Sequence, residues 1–107
     1  MKFIITYGCD GLGTEQLAVE AENEEIALDY AYHSALEYRE GYVGLHGCVD
    51  YPEFCEEEGY DIDSDESWEE YNTMIEEEIF YHAYDFDKKD ELHLEVLKES
   101  KGKFFVV

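Results

Sequence analysis

The chain has 107 residues, a length that predicts a single domain spanning residues 1–107. It carries 29 Asp and Glu against seven Lys and Arg, a formal net charge of −22, yet 45% of its residues are hydrophobic and 16% are aromatic. This apolar content is enough to bury a core, which argues against intrinsic disorder. DNA, RNA and anionic membrane surfaces repel a chain of this charge, which argues strongly against direct binding to any of them.

The chain has no apolar run close to the roughly 20 residues that a membrane span requires. Its short apolar start, Met1 to Tyr7, is followed at once by Gly8, Cys9 and Asp10, before a signal-peptide core is complete. We therefore expect a cytoplasmic protein. Its three cysteines are then expected to be free thiols.

The first predicted elements are a hairpin and a long helix. Lys2 to Tyr7 and Thr14 to Ala21 are predicted strands joined by a glycine-rich turn. Asn23 is a favourable N-cap for a helix that runs to about Arg39. Its predicted buried stripe comprises Ala27, Tyr30, Ala31, Ser34, Ala35 and Tyr38. Its predicted acidic stripe comprises Glu25, Asp29, His33, Glu37 and Glu40.

The middle of the chain is less regular. A packed loop is expected after Gly41, followed by a short helix from Pro52 to Glu58 that Gly59 closes. An acidic loop then leads to a second long helix, capped by Ser64 or Asp65 and running from Glu66 to about Phe80. Its predicted buried face comprises Trp68, Tyr71, Ile75, Ile79 and His82. The segment from Phe80 to Asp87 fits either a continuation of this helix or a strand.

The C-terminal part alternates apolar and polar residues from Leu92 to Leu97 and ends in the strand-like run Lys103 to Val107. A turn over Glu99 to Gly102 would join them as a second hairpin. The predicted fold is therefore α+β: an antiparallel sheet from the N- and C-terminal hairpins, with two long helices and one short helix packed on it.

The charge is concentrated in one part of the chain. Residues 40–87 contain 17 acids and no Lys or Arg, whereas Lys88 to Val107 has five lysines against four acids. A surface that serves only solubility normally mixes the two signs. Because concentrated like charge costs stability through self-repulsion, it indicates a use beyond solubility.

Two patterns resemble metal sites and fail in detail. Asp61, Asp63 and Asp65 match the start of an EF-hand loop, but its sixth and twelfth positions are Glu66 and Asn72 instead of Gly and Glu. The pattern favours a helix-capping loop, with weak divalent binding left open. A zinc set of Cys9, His46, Cys48 and Cys55 lacks any standard ligand spacing. We expect neither a metal nor a cofactor.

Catalysis is not indicated. Cys48 lies two residues from His46, but this proximity supplies no oriented nucleophile, base and third group. No glycine-rich phosphate loop leads into a basic helix, and the net charge repels phosphorylated substrates. The sequence therefore predicts a protein that is not an enzyme.

The acidic surface itself is the strongest functional signal. Carboxylates on helix faces repeat about every 5.4 Å turn and can present a line of charge like that of DNA. Such a protein would occupy the nucleic-acid groove of a basic partner. The predicted partner-binding residues are Glu53, Glu56, Glu57, Glu58, Asp61, Asp63, Asp65, Glu66, Glu69, Glu70, Glu76 and Glu77.

Small size, extreme acidity and the lack of a catalytic motif make this chain resemble phage-encoded inhibitors of host defence, the anti-CRISPR and anti-restriction proteins. The segment Tyr38 to Gly47 (YREGYVGLHG) is also similar to segments of small phage proteins. The resemblance implies a stoichiometric inhibitor that mimics nucleic acid in the DNA- or RNA-binding site of a CRISPR effector or restriction enzyme, in the host cytoplasm. The alternative is an acidic interaction module or subunit that binds a basic, non-nuclease partner.

Overall fold

The structure, a computed structural model, describes residues 1–43 and 48–107 and has an α+β architecture of one mixed four-stranded sheet and four helices. The elements in chain order are β1 (Lys2–Cys9), β2 (Gly13–Glu20), α1 (Glu24–Glu40), α2 (Tyr51–Glu58), α3 (Asp65–Glu78), β3 (Ile79–Asp85), α4 (Glu91–Glu99) and β4 (Phe105–Val106). The strand order in the sheet is β3-β1-β2-β4. No helix among the described residues is long and apolar enough to cross a membrane.

The predicted N-terminal hairpin is confirmed. Strands β1 and β2 pair antiparallel, with Phe3 opposite Val19 and Gly8 opposite Thr14. Gly8 has no room for a side chain, because a Cβ there would lie 2.2 Å from the carbonyl oxygen of Gly13. Only glycine therefore fits at position 8, next to the turn of the hairpin.

Helix α1 forms as predicted and covers one face of the sheet. The backbone N–H of Ile26 donates to the Asn23 side chain, which is the predicted N-cap. The buried positions Ala27 and Ala31 pack against Phe3, Ile5 and Val19. Small alanines at this contact let the helix axis come close to the strands. The acidic stripe of the same helix is exposed, also as predicted.

The segment after α3 is a strand. Helix α3 ends at Glu78, and β3 then pairs antiparallel with β1, with Tyr81 opposite Tyr7. The aromatic run around His82 has high strand propensity, and pairing with β1 buries Ile79 against the sheet edge. Of the two alternatives for this segment, the strand is therefore confirmed, and His82 does not continue the buried face of the helix.

The predicted C-terminal hairpin is also wrong. Leu92 to Leu97 lies in helix α4, whose N-cap Asp90 accepts hydrogen bonds from the backbone N–H groups of Leu92 and His93. Strand β4 does not pair with this segment but runs parallel to β2, which makes the sheet mixed instead of antiparallel. Helix α4 places Val96 against Ile4 and Ala18, on the face of the sheet opposite α1.

Helices α2 and α3 do not pack on the sheet as predicted. They pack on each other through a second hydrophobic cluster built on Phe54, Cys55 and Tyr71. This pair extends the molecule to 51 × 26 × 17 Å, with a radius of gyration of 16.5 Å. A spherical fold of this length has a radius of gyration of about 13 Å, so the molecule is elongated.

Candidate protein-interaction surface

All twelve acids predicted to bind a partner are exposed. Four lie on α2, two lie in the loop before α3, and six lie on α3. Phe54 and Tyr71, whose ring centroids are 5.4 Å apart, hold α2 and α3 together. This cluster buries the apolar side chains between the two helices and leaves the acids on the outside of the pair. We call these twelve residues the α2–α3 acidic surface.

Tyr60, in the loop between the two helices, shows that their carboxylates converge. Its pKa is raised above the ordinary value, most strongly by Glu70 on α3, then by burial, and then by Glu58 on α2 and by Glu66. A negative charge opposes the formation of a phenolate nearby. The phenol therefore lies in the combined field of both helices.

The acidic loop caps a helix, as the sequence favoured. The Asp61 carboxylate accepts the backbone N–H of Asp63 at 3.0 Å, and the Ser64 hydroxyl accepts the backbone N–H of Glu66 at 3.2 Å. Ser64, one of the two predicted residues, is thus the N-cap of α3. Among residues 1–43 and 48–107, no group of three or more His, Cys, Asp or Glu side chains is placed to hold a metal ion.

The zinc candidates divide between described and undescribed residues. Cys9, Cys48 and Cys55 are buried free thiols, and His46 lies outside the described residues. Burial and the nearby Glu78 carboxylate raise the pKa of Cys9, and burial is also the largest cause of the raised pKa of Cys48. Both thiols are therefore protonated and weakly nucleophilic at neutral pH.

Sequence reasoning missed a structural role for Arg39, the only arginine in the chain. Its side chain is 3% exposed, and its Nε–H donates to the Glu78 carboxylate at 2.7 Å. Its other nitrogens donate to the hydroxyl of Tyr71 and to the carbonyl of Val49. Burial opposes the charge of Arg39, but hydrogen bonds to Glu78 and Tyr71 raise its pKa overall. Arg39 therefore ties α1 to the end of α3 and to the segment before α2.

Carboxylates of α1 also belong to this surface, although the sequence did not assign them to it. The Tyr32 hydroxyl on α1 donates to Glu76 on α3 at 2.8 Å. Glu25 and Asp29 line the same open groove as Glu76. Glu25 and Asp29 are four residues apart and so share one face of α1, which is the sequence pattern that could have indicated their place on this surface. The α2–α3 acidic surface thus continues onto α1.

The described residues contain little positive charge near this surface. Within residues 1–43 and 48–107, Arg39–Glu78 is the only ion pair between an acid and a Lys or Arg. Five of the six lysines lie at or beyond Lys88, around α4 and the C-terminal turn. Apart from Glu78, the carboxylates of α2 and α3 therefore have no Lys or Arg partner among the described residues.

Apolar side chains interrupt the acids. Trp68 on α3 was predicted to be buried, but it is 48% exposed and stacks on Tyr51, with ring centroids 3.9 Å apart. Ile62 in the loop is 47% exposed. Large apolar side chains of this kind can serve as anchors when a polar surface binds another protein.

Comparisons with known proteins give no match for this chain. No family model matches it, and no curated protein or solved structure matches it. Its function is therefore inferred from the charges, contacts and cavities of the chain itself.

Proposed function

We propose that the protein is a stoichiometric inhibitor that mimics nucleic acid and occupies the DNA- or RNA-binding site of a host defence nuclease, either a CRISPR effector or a restriction enzyme. One observation carries the proposal, the density of charge along the molecule. Twenty-nine carboxylates along a 51 Å axis amount to one per about 1.8 Å, and duplex DNA carries one phosphate charge per about 1.7 Å. After the cations are subtracted, the net charge of −22 still gives one per about 2.3 Å.

The carboxylates are held on stiff elements, which a phosphate mimic requires. Helices α1 and α3 have 17 and 14 residues, and an α-helix repeats its face about every 5.4 Å. The Tyr32–Glu76 hydrogen bond and the Arg39–Glu78 ion pair join these helices at two points. Because the helices hold the carboxylates in place before a partner binds, less conformational entropy is lost on binding.

The proposed mechanism involves no catalysis. The target groove holds Lys and Arg that normally neutralise phosphates, and the α2–α3 acidic surface would neutralise them instead. The inhibitor would then block nucleic acid by occupying its place, at one copy for each site. The long-range field would also accelerate encounter with a basic groove.

The exposed apolar groups favour the second candidate, an acidic module that binds a basic, non-nuclease partner. Negative charge by itself does not account for Trp68 and Ile62 among the acids, whereas any protein interface can use such side chains as anchors. The two candidates differ in one measurable respect. A mimic competes with nucleic acid for its target, and a general module does not need to.

Charge reversal tests the proposed surface. The triple change Glu69→Lys, Glu70→Lys and Glu77→Lys alters exposed positions of α3 and leaves Tyr71 untouched. We expect at least a hundredfold loss of affinity for the target nuclease, because three attractive contacts become repulsive. The matched control reverses Glu91, Glu95 and Glu99 in the lysine-containing segment and should cost less than about fivefold. Equal binding by both variants and the unaltered protein would rule out the α2–α3 acidic surface as the contact.

A further inference from the structure

A cavity of about 530 Å³ lies between the C-terminal half of α1 and α3. Its apolar lining includes Leu36, Val43 and Ile75, and the Trp68 side chain borders it. Glu40 and Asp50 add two carboxylates to the lining. The cavity thus combines an apolar wall, an indole ring and negative charge.

The indole of Trp68 is the part of the cavity that a cation could stack on. Tyr51 covers one face of the Trp68 indole, stacked at an interplanar angle of 12°. Tyr51 does not line the cavity, whereas Trp68 does line it and is 48% exposed. Among aromatic side chains, the indole of tryptophan attracts a cation to its face most strongly.

The cavity is negative although Arg39 contributes to its lining. The Arg39 guanidinium is neutralised by Glu78 at 2.7 Å. Glu40 is the last residue of α1 and is exposed. Asp50 caps α2 by accepting the backbone N–H of Glu53 at its Oδ1 atom. Two carboxylates therefore face a guest without a cation that compensates them both.

We propose that this cavity binds an arginine side chain of the protein partner. The guanidinium would stack on Trp68 and pair with Glu40 and Asp50, while the arginine methylenes lie against Leu36 and Ile75. Arginine fits better than lysine because its planar group stacks on an aromatic ring and is more weakly hydrated. The inference rests on the proposed function, because a groove that binds nucleic acid supplies such arginines.

The single tryptophan of the chain makes a direct test possible. N-acetyl-arginine amide is titrated into the intact protein, and binding is followed by Trp68 fluorescence and by the indole N–H resonance in NMR spectra. The matched probe is N-acetyl-citrulline amide, which keeps the planar shape and loses the charge. We expect citrulline to bind about tenfold more weakly at low salt, since two exposed charge pairs are lost.

Two protein variants locate the binding. The change Glu40→Gln with Asp50→Asn removes both carboxylates, and Asn keeps the cap of α2. We expect arginine to bind this variant about tenfold more weakly, as citrulline binds the unaltered protein. The control variant Glu95→Gln with Glu99→Gln loses the same charge on α4 and should bind arginine within about twofold. Circular dichroism confirms that both variants fold.

Three results would overturn the proposal: equal affinity for arginine and citrulline, equal loss in the two variants, or no shift of the indole resonance at any arginine concentration. None of these results tests the proposed function, because the probe experiment contains no nuclease. Failure of the charge-reversal experiment with the target would conversely remove the proposed function and leave the cavity measurement standing.

Discussion

Replacing Arg39 by Met should destabilise the protein by about 2 kcal/mol. Arg39 is buried and makes three hydrogen bonds, to Glu78 at 2.7 Å, to Val49 at 3.1 Å and to Tyr71 at 3.4 Å. Methionine fills much of the same volume, so the main loss is the charge-assisted bond to Glu78, which is worth about 1.5–3 kcal/mol.

Two features keep the loss below the 3–5 kcal/mol typical of breaking a buried ion pair. Glu78 is 34% exposed, so water can solvate its carboxylate after Arg39 is removed. The Tyr71 hydroxyl already lies 3.3 Å from the Val49 carbonyl and can donate to it, so these two groups satisfy each other. The expected fall in melting temperature is roughly 10 °C for a domain of this size.

Urea denaturation at pH 7, followed by Trp68 fluorescence and by circular dichroism, measures the change. The control is Lys98→Met on α4, which alters the net charge equally at an exposed site and should change stability by less than about 0.5 kcal/mol. The double variant of Arg39→Met with Glu78→Gln isolates the coupling between the two residues. A loss below 0.5 kcal/mol for Arg39→Met would refute the role of Arg39 as the tie between α1 and α3.

Three further results are expected. In a spectrophotometric titration, Tyr60 should ionise above the ordinary tyrosine range, and Glu70→Gln should lower its pKa because the charge that raises it most is removed. The contribution of Cys9 and Cys48 to stability should be complete below about pH 8.5 and be lost as the pH rises further, because their pKa values are raised in the folded state and the unfolded chain releases their protons first. Replacing both cysteines by Ala should reduce the loss of stability between about pH 8.5 and 10. The melting temperature at pH 7 should rise with added sodium chloride, because screening relieves repulsion among the 29 carboxylates, and a melting temperature that salt leaves unchanged would contradict a dense acidic surface.

The elements with a local signal could be predicted from the sequence. Asn23, Ser64 and Gly59 mark the ends of helices through hydrogen bonds or a backbone conformation that depend on a few neighbouring residues. Gly59 has a φ of 73°, a left-handed conformation that glycine adopts without strain. The N-terminal hairpin is likewise indicated by local sequence, a glycine-rich turn between two strand-like segments.

The errors arise where two periodicities fit one segment or where a distant contact decides. Leu92 and Val96 are four residues apart, a spacing that places both on one face of either a strand or a helix. The Asp90 cap decides in favour of the helix. The burial of Arg39 depends on Glu78, 39 residues away, which no periodicity in the sequence encodes. Trp68 packs on Tyr51 of another helix and stays 48% exposed, which the periodicity of α3 does not encode.

The sequence indicates the acids of α2 and α3 but not the contacts that bring acids of α1 beside them. The abundance of acids on α2 and α3 is visible in the sequence, and their exposure follows from helix periodicity. The extension onto α1 depends on the contact of Tyr32 with Glu76, 44 residues away. The cavity beside Trp68 likewise depends on how α1 and α3 are placed, which only the fold determines.

Competition with nucleic acid tests the central proposal most directly. A target nuclease is titrated with labelled DNA or RNA at several fixed concentrations of this protein, and free and bound nucleic acid are separated. Mimicry predicts that the apparent Kd for nucleic acid rises linearly with protein concentration, that no ternary complex forms, and that added salt weakens the protein–nuclease complex steeply. A ternary complex of protein, nuclease and nucleic acid, with the Kd for nucleic acid unchanged, would contradict it.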